Sequence, residues 1–179
     1  MRYFTPQLWI GFNSPRREAA FKTWDHRFKA YRKSLRKILP GLGSRARRFF
    51  RDILILHDGT LTRFEVGDRI TNPAVEARRG RAIRRRVTVR MYVLTFRGDR
   101  VYVLEYRQVT TVEVHFPGKL ELFPVGMYPN FGDWGYDELT APEKGLFRHE
   151  ILFTSGASIV VEFRDFVFLR KRAETRRER

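Results

Sequence analysis

The sequence predicts an α+β protein: N-terminal helices, one of them long and amphipathic, packed on an antiparallel β-sheet. Three observations carry this. Phe21, Trp24, Phe28, Tyr31, Leu35 and Ile38 recur at intervals of three and four residues, the period of one helix face. Val87, Val89, Met91 and Val93 alternate with Thr88, Arg90 and Tyr92, and Ile159, Val161 and Phe163 face opposite to Glu162 and Arg164, the period of half-buried strands. All the helical signals precede the strand signals, with no βαβ alternation and no dinucleotide fingerprint.

The elements follow in order. Thr5-Pro6 predicts a helix start, with Thr as cap and Pro in the first turn, leading a short helix through Leu8, Trp9 and Phe12. Ser14-Pro15 repeats the signal, and Glu18 suits the positive helix start. The long aromatic-striped helix then runs to Pro40-Gly41. Gly43-Ser44 caps a second basic helix near Ser44 to Ile53, with Phe49, Phe50 and Ile53 inward. Strands follow: Leu61 to Val66; Val87 to Phe96; a tight turn at Arg97-Gly98-Asp99-Arg100; and Val101 to Phe116 as one long or bulged strand. Leu146 to Phe153 and Ser158 to Leu169 form a hairpin around Ser155-Gly156. The expected organisation is therefore one domain, with a helical part over 1–58, a β part over 59–169 and a frayed charged tail over 170–179.

At 179 residues, 42% hydrophobic and 15% aromatic, the chain can bury a real core. It has no cysteine, which excludes disulfides, a thiol nucleophile and thiolate zinc sites. No signal-peptide pattern opens it and no apolar run is long enough for a membrane span, so a cytoplasmic location is expected.

Net charge is +16. Residues 1–58 hold 14 Lys/Arg against 4 Asp/Glu, residues 59–118 hold 12 against 6, and residues 119–179 balance at 10 each. Six of the ten residues from Ala77 to Arg86 are arginine: Arg78, Arg79, Arg81, Arg84, Arg85 and Arg86. A core cannot hold so many guanidinium groups unpaired, so the run belongs at the surface, in a connection before the strand at Val87. With Arg45, Arg48 and Arg51 of the second basic helix it forms the candidate polyanion-binding set. The competing explanation is a solvated surface rich in arginine for solubility. The same holds for Lys22, Arg27, Lys29, Arg32, Lys33, Arg36 and Lys37, which read first as a solvated helix face.

Several short motifs carry a resemblance. They are Met1-Arg2-Tyr3-Phe4-Thr5 followed by Leu8-Trp9, and Phe49-Phe50 ahead of Leu56-His57-Asp58. Near the end come His149-Glu150-Ile151-Leu152-Phe153, Ser155-Gly156 and Phe163-Arg164-Asp165-Phe166. Together they resemble a bacterial family, domain of unknown function 4085, over nearly the whole chain. The resemblance implies a small bacterial protein with a helical N-terminal part and a β-rich remainder. It implies no activity, cofactor or catalytic residue, and the arginine cluster is not part of it.

Catalytic signatures are sparse. His26, His57, His115 and His149 lack zinc-protease spacing, and no Gly-x-Ser-x-Gly elbow occurs. His57-Asp58-Gly59 reads as turn chemistry with His57 satisfying local hydrogen bonds, so no metal and no cofactor is expected. Asp133, Asp137, Glu138 and Glu143 fall in what reads as an aromatic-rich loop with Phe131, Trp134 and Tyr136. If the chain has a small-molecule pocket, Asp133, Trp134, Tyr136, Asp137 and Glu138 are its candidates. The leading functional expectation is a non-catalytic basic module binding a polyanion such as RNA or DNA. The alternative is a protein-interaction module that neutralises an acidic partner, in the manner of an immunity protein. A small enzyme using the 131–143 loop comes last.

Overall fold

The computed structural model describes residues 1–12, 17–69, 86–116 and 131–173. Its elements are α1 (Pro6–Phe12), α2 (Arg17–Ile38), a 3-10 turn (Leu39–Gly41) and α3 (Ser44–Arg51). Eight strands follow: β1 (Thr60–Arg69), β2 (Arg86–Leu94), β3 (Arg100–Arg107), β4 (Thr111–His115), β5 (Trp134–Glu143), β6 (Leu146–Phe153), β7 (Ser158–Phe163) and β8 (Asp165–Arg172). The predicted α+β class is the one observed, with helices first and antiparallel strands after.

The strands form two four-stranded sheets, ordered β1-β2-β3-β8 and β4-β7-β6-β5. Two corners join them. The expected single strand from Val101 to Phe116 breaks at Gln108, which takes the left-handed conformation at φ 52°. Its first half pairs in one sheet and its second half in the other. The expected strand from Ser158 to Leu169 breaks likewise at Arg164. Pairing continues around the bend, with Thr110 N–H bonded to Glu162 O at 2.9 Å and Arg164 N–H to Arg107 O at 3.3 Å. Alternation persists on both sides of each corner, so hydrophobic pattern alone reads straight through it. At the far side the sheets meet again: Trp134 N–H donates to Gly59 O (2.7 Å) and Asp58 N–H to Trp134 O (2.9 Å).

The core lies between the inner faces. Val89, Met91, Val93, Leu104 and Tyr106 face it from the first sheet; Leu139, Ile151, Ile159, Val161 and Phe163 face it from the second. The predicted alternation of β2 and β7 therefore holds.

Of the α2 stripe, Tyr31 and Leu35 are buried, Trp24, Phe28 and Ile38 are half-buried, and Phe21 is 57% exposed beside Phe12. Lys22 and Lys29 pair with Glu18 and Asp25 one turn away, as a solvated face does. The Tyr31 hydroxyl accepts the backbone N–H of Leu139 at 2.8 Å, so the helix satisfies a donor on the edge strand β5. At α3 the N-cap is Gly43 of the predicted Gly43-Ser44 pair, the helix starts at Ser44 as expected, and it ends at Arg51 rather than Ile53. Arg47 ties the preceding turn by donating to Leu42 O at 3.2 Å.

Candidate anion-binding groove and the buried network beside it

Phe49 docks α3 on β8. Its ring lies 5.2 Å from Phe166, 5.1 Å from Phe168 and 6.3 Å from Tyr102. This brings the exposed Arg48 to a groove of about 390 Å³ lined also by Phe49, Asp52, Ile55, Tyr102, Phe168 and Arg170. Arg170 also borders a depression of about 470 Å³ with Asp99, Arg100, Lys171 and Arg172. Register sets Arg172 directly opposite Arg100, two cations across one strand pair. Arg100 donates to Asp99 at 3.1 Å. The side chains of Arg48, Arg170, Lys171 and Arg172 make no ion pair or hydrogen bond among the described residues.

The contrast with the other end of the sheet is sharp. There a groove of about 870 Å³ is lined by Glu65, Thr88, Arg90, Glu105, Arg107 and Asp165, among others. Its arginines are neutralised: Glu105 takes Arg90 at 2.7 Å and Arg107 at 2.6 Å. Partial burial pushes the Glu105 carboxyl up, but these two guanidinium groups outweigh it and hold it below the usual range.

The predicted basic set is thus divided. Arg48 lines the groove, while Arg45 and Arg51 are exposed on the same helix and do not line it. Arg78, Arg79, Arg81, Arg84 and Arg85 lie outside the described residues, as does the side chain of Arg86. The backbone of Arg86 pairs with Arg69 at one end of the sheet. Arg170 is level with Tyr102 and Val93, seven residues along β2 and about 23 Å away at strand spacing. Sequence reasoning placed Arg170 to Arg172 in a frayed tail. They belong to β8, and the period-two series Phe166, Phe168, Arg170, Arg172 is the signal that identifies them.

The expected 131–143 loop is corrected. From Trp134 it is strand β5, and its candidates divide between two faces. Gly135 sits in a bulge, where a Cβ would stand 2.9 Å from Leu152 O. The extra residue lets Trp134 and Asp137 share the inner face. There Trp134 Nε1–H donates to Asp137 Oδ1 at 2.9 Å, and Asp137 Oδ2 lies 3.0 Å from His149 Nε2. His149 Nδ1 is 2.7 Å from the Tyr106 hydroxyl across the core. A carboxylate can only accept, so His149 donates Nε2–H to the second oxygen, Asp137 Oδ2. That leaves Nδ1 as acceptor for Tyr106. Burial, then the Asp137 charge, push the Tyr106 hydroxyl well above its ordinary pKa. Tyr106 and His149 are fully enclosed, so the chain of bonds reads as a satisfied core network rather than a reactive centre. The series Phe147, His149, Ile151, Phe153 places His149 on the inner face and could have identified it.

Tyr136 and Glu138 point to the outer face. Burial and the Asp58 charge raise the Tyr136 pKa to about 12. Its ring stacks on Phe4 at 5.1 Å. Glu138, with no exposed surface, accepts backbone N–H groups of Arg2 (2.7 Å), Tyr3 (2.6 Å) and Phe4 (2.5 Å). The Met1 amine meets Glu150 at 2.6 Å. Asp133 precedes the strand, its N–H bonded to Thr154 Oγ1. These five residues divide between the two faces of β5 and its approach, and none of them lines the three grooves described above. His57 Nδ1 lies 2.9 Å from Asp58 Oδ1, the expected local contact. Among the described residues no three His, Asp or Glu side chains gather as metal ligands. No helix of the described residues is long and apolar enough to cross a membrane.

No family model matches the chain, and neither a curated protein nor a solved structure matches it.

Proposed function

We propose that the protein is a non-catalytic basic module that binds nucleic acid, with the α3–β8 groove as its docking point. The observation that carries this is the cluster of Arg48, Arg170, Lys171 and Arg172, four cations that make no ion pair among the described residues and that border one groove and the depression adjoining it at Arg170. Like charges held together cost stability, and an anionic ligand removes that cost. Arginine suits phosphate through its planar fork of donors. The arginine run over 78–86 supplies further phosphate contacts in this reading. A bacterial origin, a cytoplasmic location and membership of the family resembled belong to the same proposal.

The test is binding of a labelled 20-nucleotide strand and its duplex across a salt series, with the triple variant Arg48→Gln, Arg170→Gln, Arg172→Gln beside the parent. Counterion release predicts a slope of log affinity on log salt that falls by roughly 2 to 3 in the variant. No binding by the parent at low salt refutes the proposal, as does an unchanged slope. Polyglutamate competing as strongly as the oligonucleotide also refutes it, in favour of an acidic protein partner.

A further inference from the structure

The groove has a floor as well as a rim, and the two differ in chemistry. Phe168 and Tyr102 lie nearly parallel, 23° apart with centroids at 6.2 Å, and Phe49 stands 5.1 Å from Phe168. Ile55 forms a half-buried apolar wall. Arg48 and Arg170 line the groove and are exposed, as is Asp52, its one carboxylate among the described residues. Phe168 is only half-buried although it packs on the core, so part of its ring faces the groove. The volume of about 390 Å³ lies in the range of small-ligand pockets, enough for one nucleotide.

We infer that the groove takes one nucleotide of a single strand, its base against the half-buried Phe168 ring, which the buried Tyr102 and Phe49 back, and its phosphates on Arg48 and Arg170. This rests on the nucleic-acid reading above and narrows it to unpaired strands. A duplex keeps its bases stacked inward and reaches such a floor only by extruding one, at a cost of a few kcal/mol. A single strand presents bases freely, and stacking on aromatic side chains tolerates any sequence.

The experiment compares a labelled 20-nucleotide homopolymer with a blunt duplex at one salt concentration. It uses the whole chain and the variants Phe168→Leu and Arg170→Gln. Leucine keeps the apolar contact with Phe49 and removes only the aromatic face, and a thermal melt checks that the fold is intact. The expected result is a single strand bound at least tenfold tighter than the duplex. Phe168→Leu then weakens the strand roughly tenfold while leaving duplex binding unchanged, and Arg170→Gln weakens both. Equal binding of strand and duplex, or a Phe168→Leu variant that binds the strand like the parent, overturns the inference and leaves the nucleic-acid reading standing. Absence of binding by either ligand at low salt overturns both.

Discussion

Replacing Glu138 by glutamine tests what its burial is for. The carboxylate accepts three consecutive backbone N–H groups, two on Oε1 from Tyr3 and Phe4 and one on Oε2 from Arg2. Glutamine can place its carbonyl where Oε1 stands and keep the first two. Its amide then faces the Arg2 N–H, donor against donor. The lost charge-assisted bond costs about 1.5–3 kcal/mol. The surviving two fall to neutral strength, close to half their former value, for about 1.5–3 kcal/mol more. The sum, about 3–6 kcal/mol, lowers the melting temperature by roughly 10–20 °C for a chain of this size. Urea and thermal unfolding measure it. Hydrogen exchange at residues 2–4 localises it, because those amides lose protection first. A change below about 0.5 kcal/mol, the level of an ordinary surface substitution, refutes the reasoning.

Two further outcomes follow from the core. Tyr106→Phe strands the buried His149 Nδ1 without its donor and costs about 1–3 kcal/mol at neutral pH by urea unfolding. It also changes the alkaline limb. The folded pKa of Tyr106 is raised, so its contribution is full below the unfolded value near 10 and is lost as pH climbs from there toward the folded value. The variant therefore loses stability less steeply above pH 10, and an unchanged slope counts against the assignment. Gly135→Ala drives a methyl group against Leu152 O at 2.9 Å and disturbs the bulge that aims Trp134 and Asp137 together. A loss of about 1–3 kcal/mol is expected in urea, with altered near-ultraviolet dichroism from Trp134; parent-like stability shows the bulge to be dispensable.

The helices and the β2–β3 turn were legible because local chemistry decides them. Pro6, the α2 stripe and Gly98 at φ 67° each act within a few residues. The corners were not. Gln108 is an unremarkable residue in sequence, and only long-range pairing with β7 and β8 compels its left-handed turn. Strand β5 was hidden for a different reason. Its carboxylates look solvated, and what buries them is the first few residues of the chain and a histidine from β6. The Gly135 bulge also interrupts the alternation that would have announced the strand. As for the candidate site, Arg48 was legible as a basic helix residue, but its neighbour Arg170 comes from more than a hundred residues away. Charge near a terminus looks like a tail until a partner strand claims it.

The two corners have a consequence for how the molecule comes apart. β3 and β4 form one bent line, β7 and β8 another, and the two stay hydrogen-bonded through the bend. Each sheet therefore owns half of the same ribbon, as two pages share a fold in the paper. Separating β3 from β8, or β4 from β7, pries at a pairing that continues into the other sheet. The protein has two sheets but is expected to unfold as one cooperative unit, and amides on β2 and β6, interior strands of different sheets, are expected to exchange with the same opening free energy.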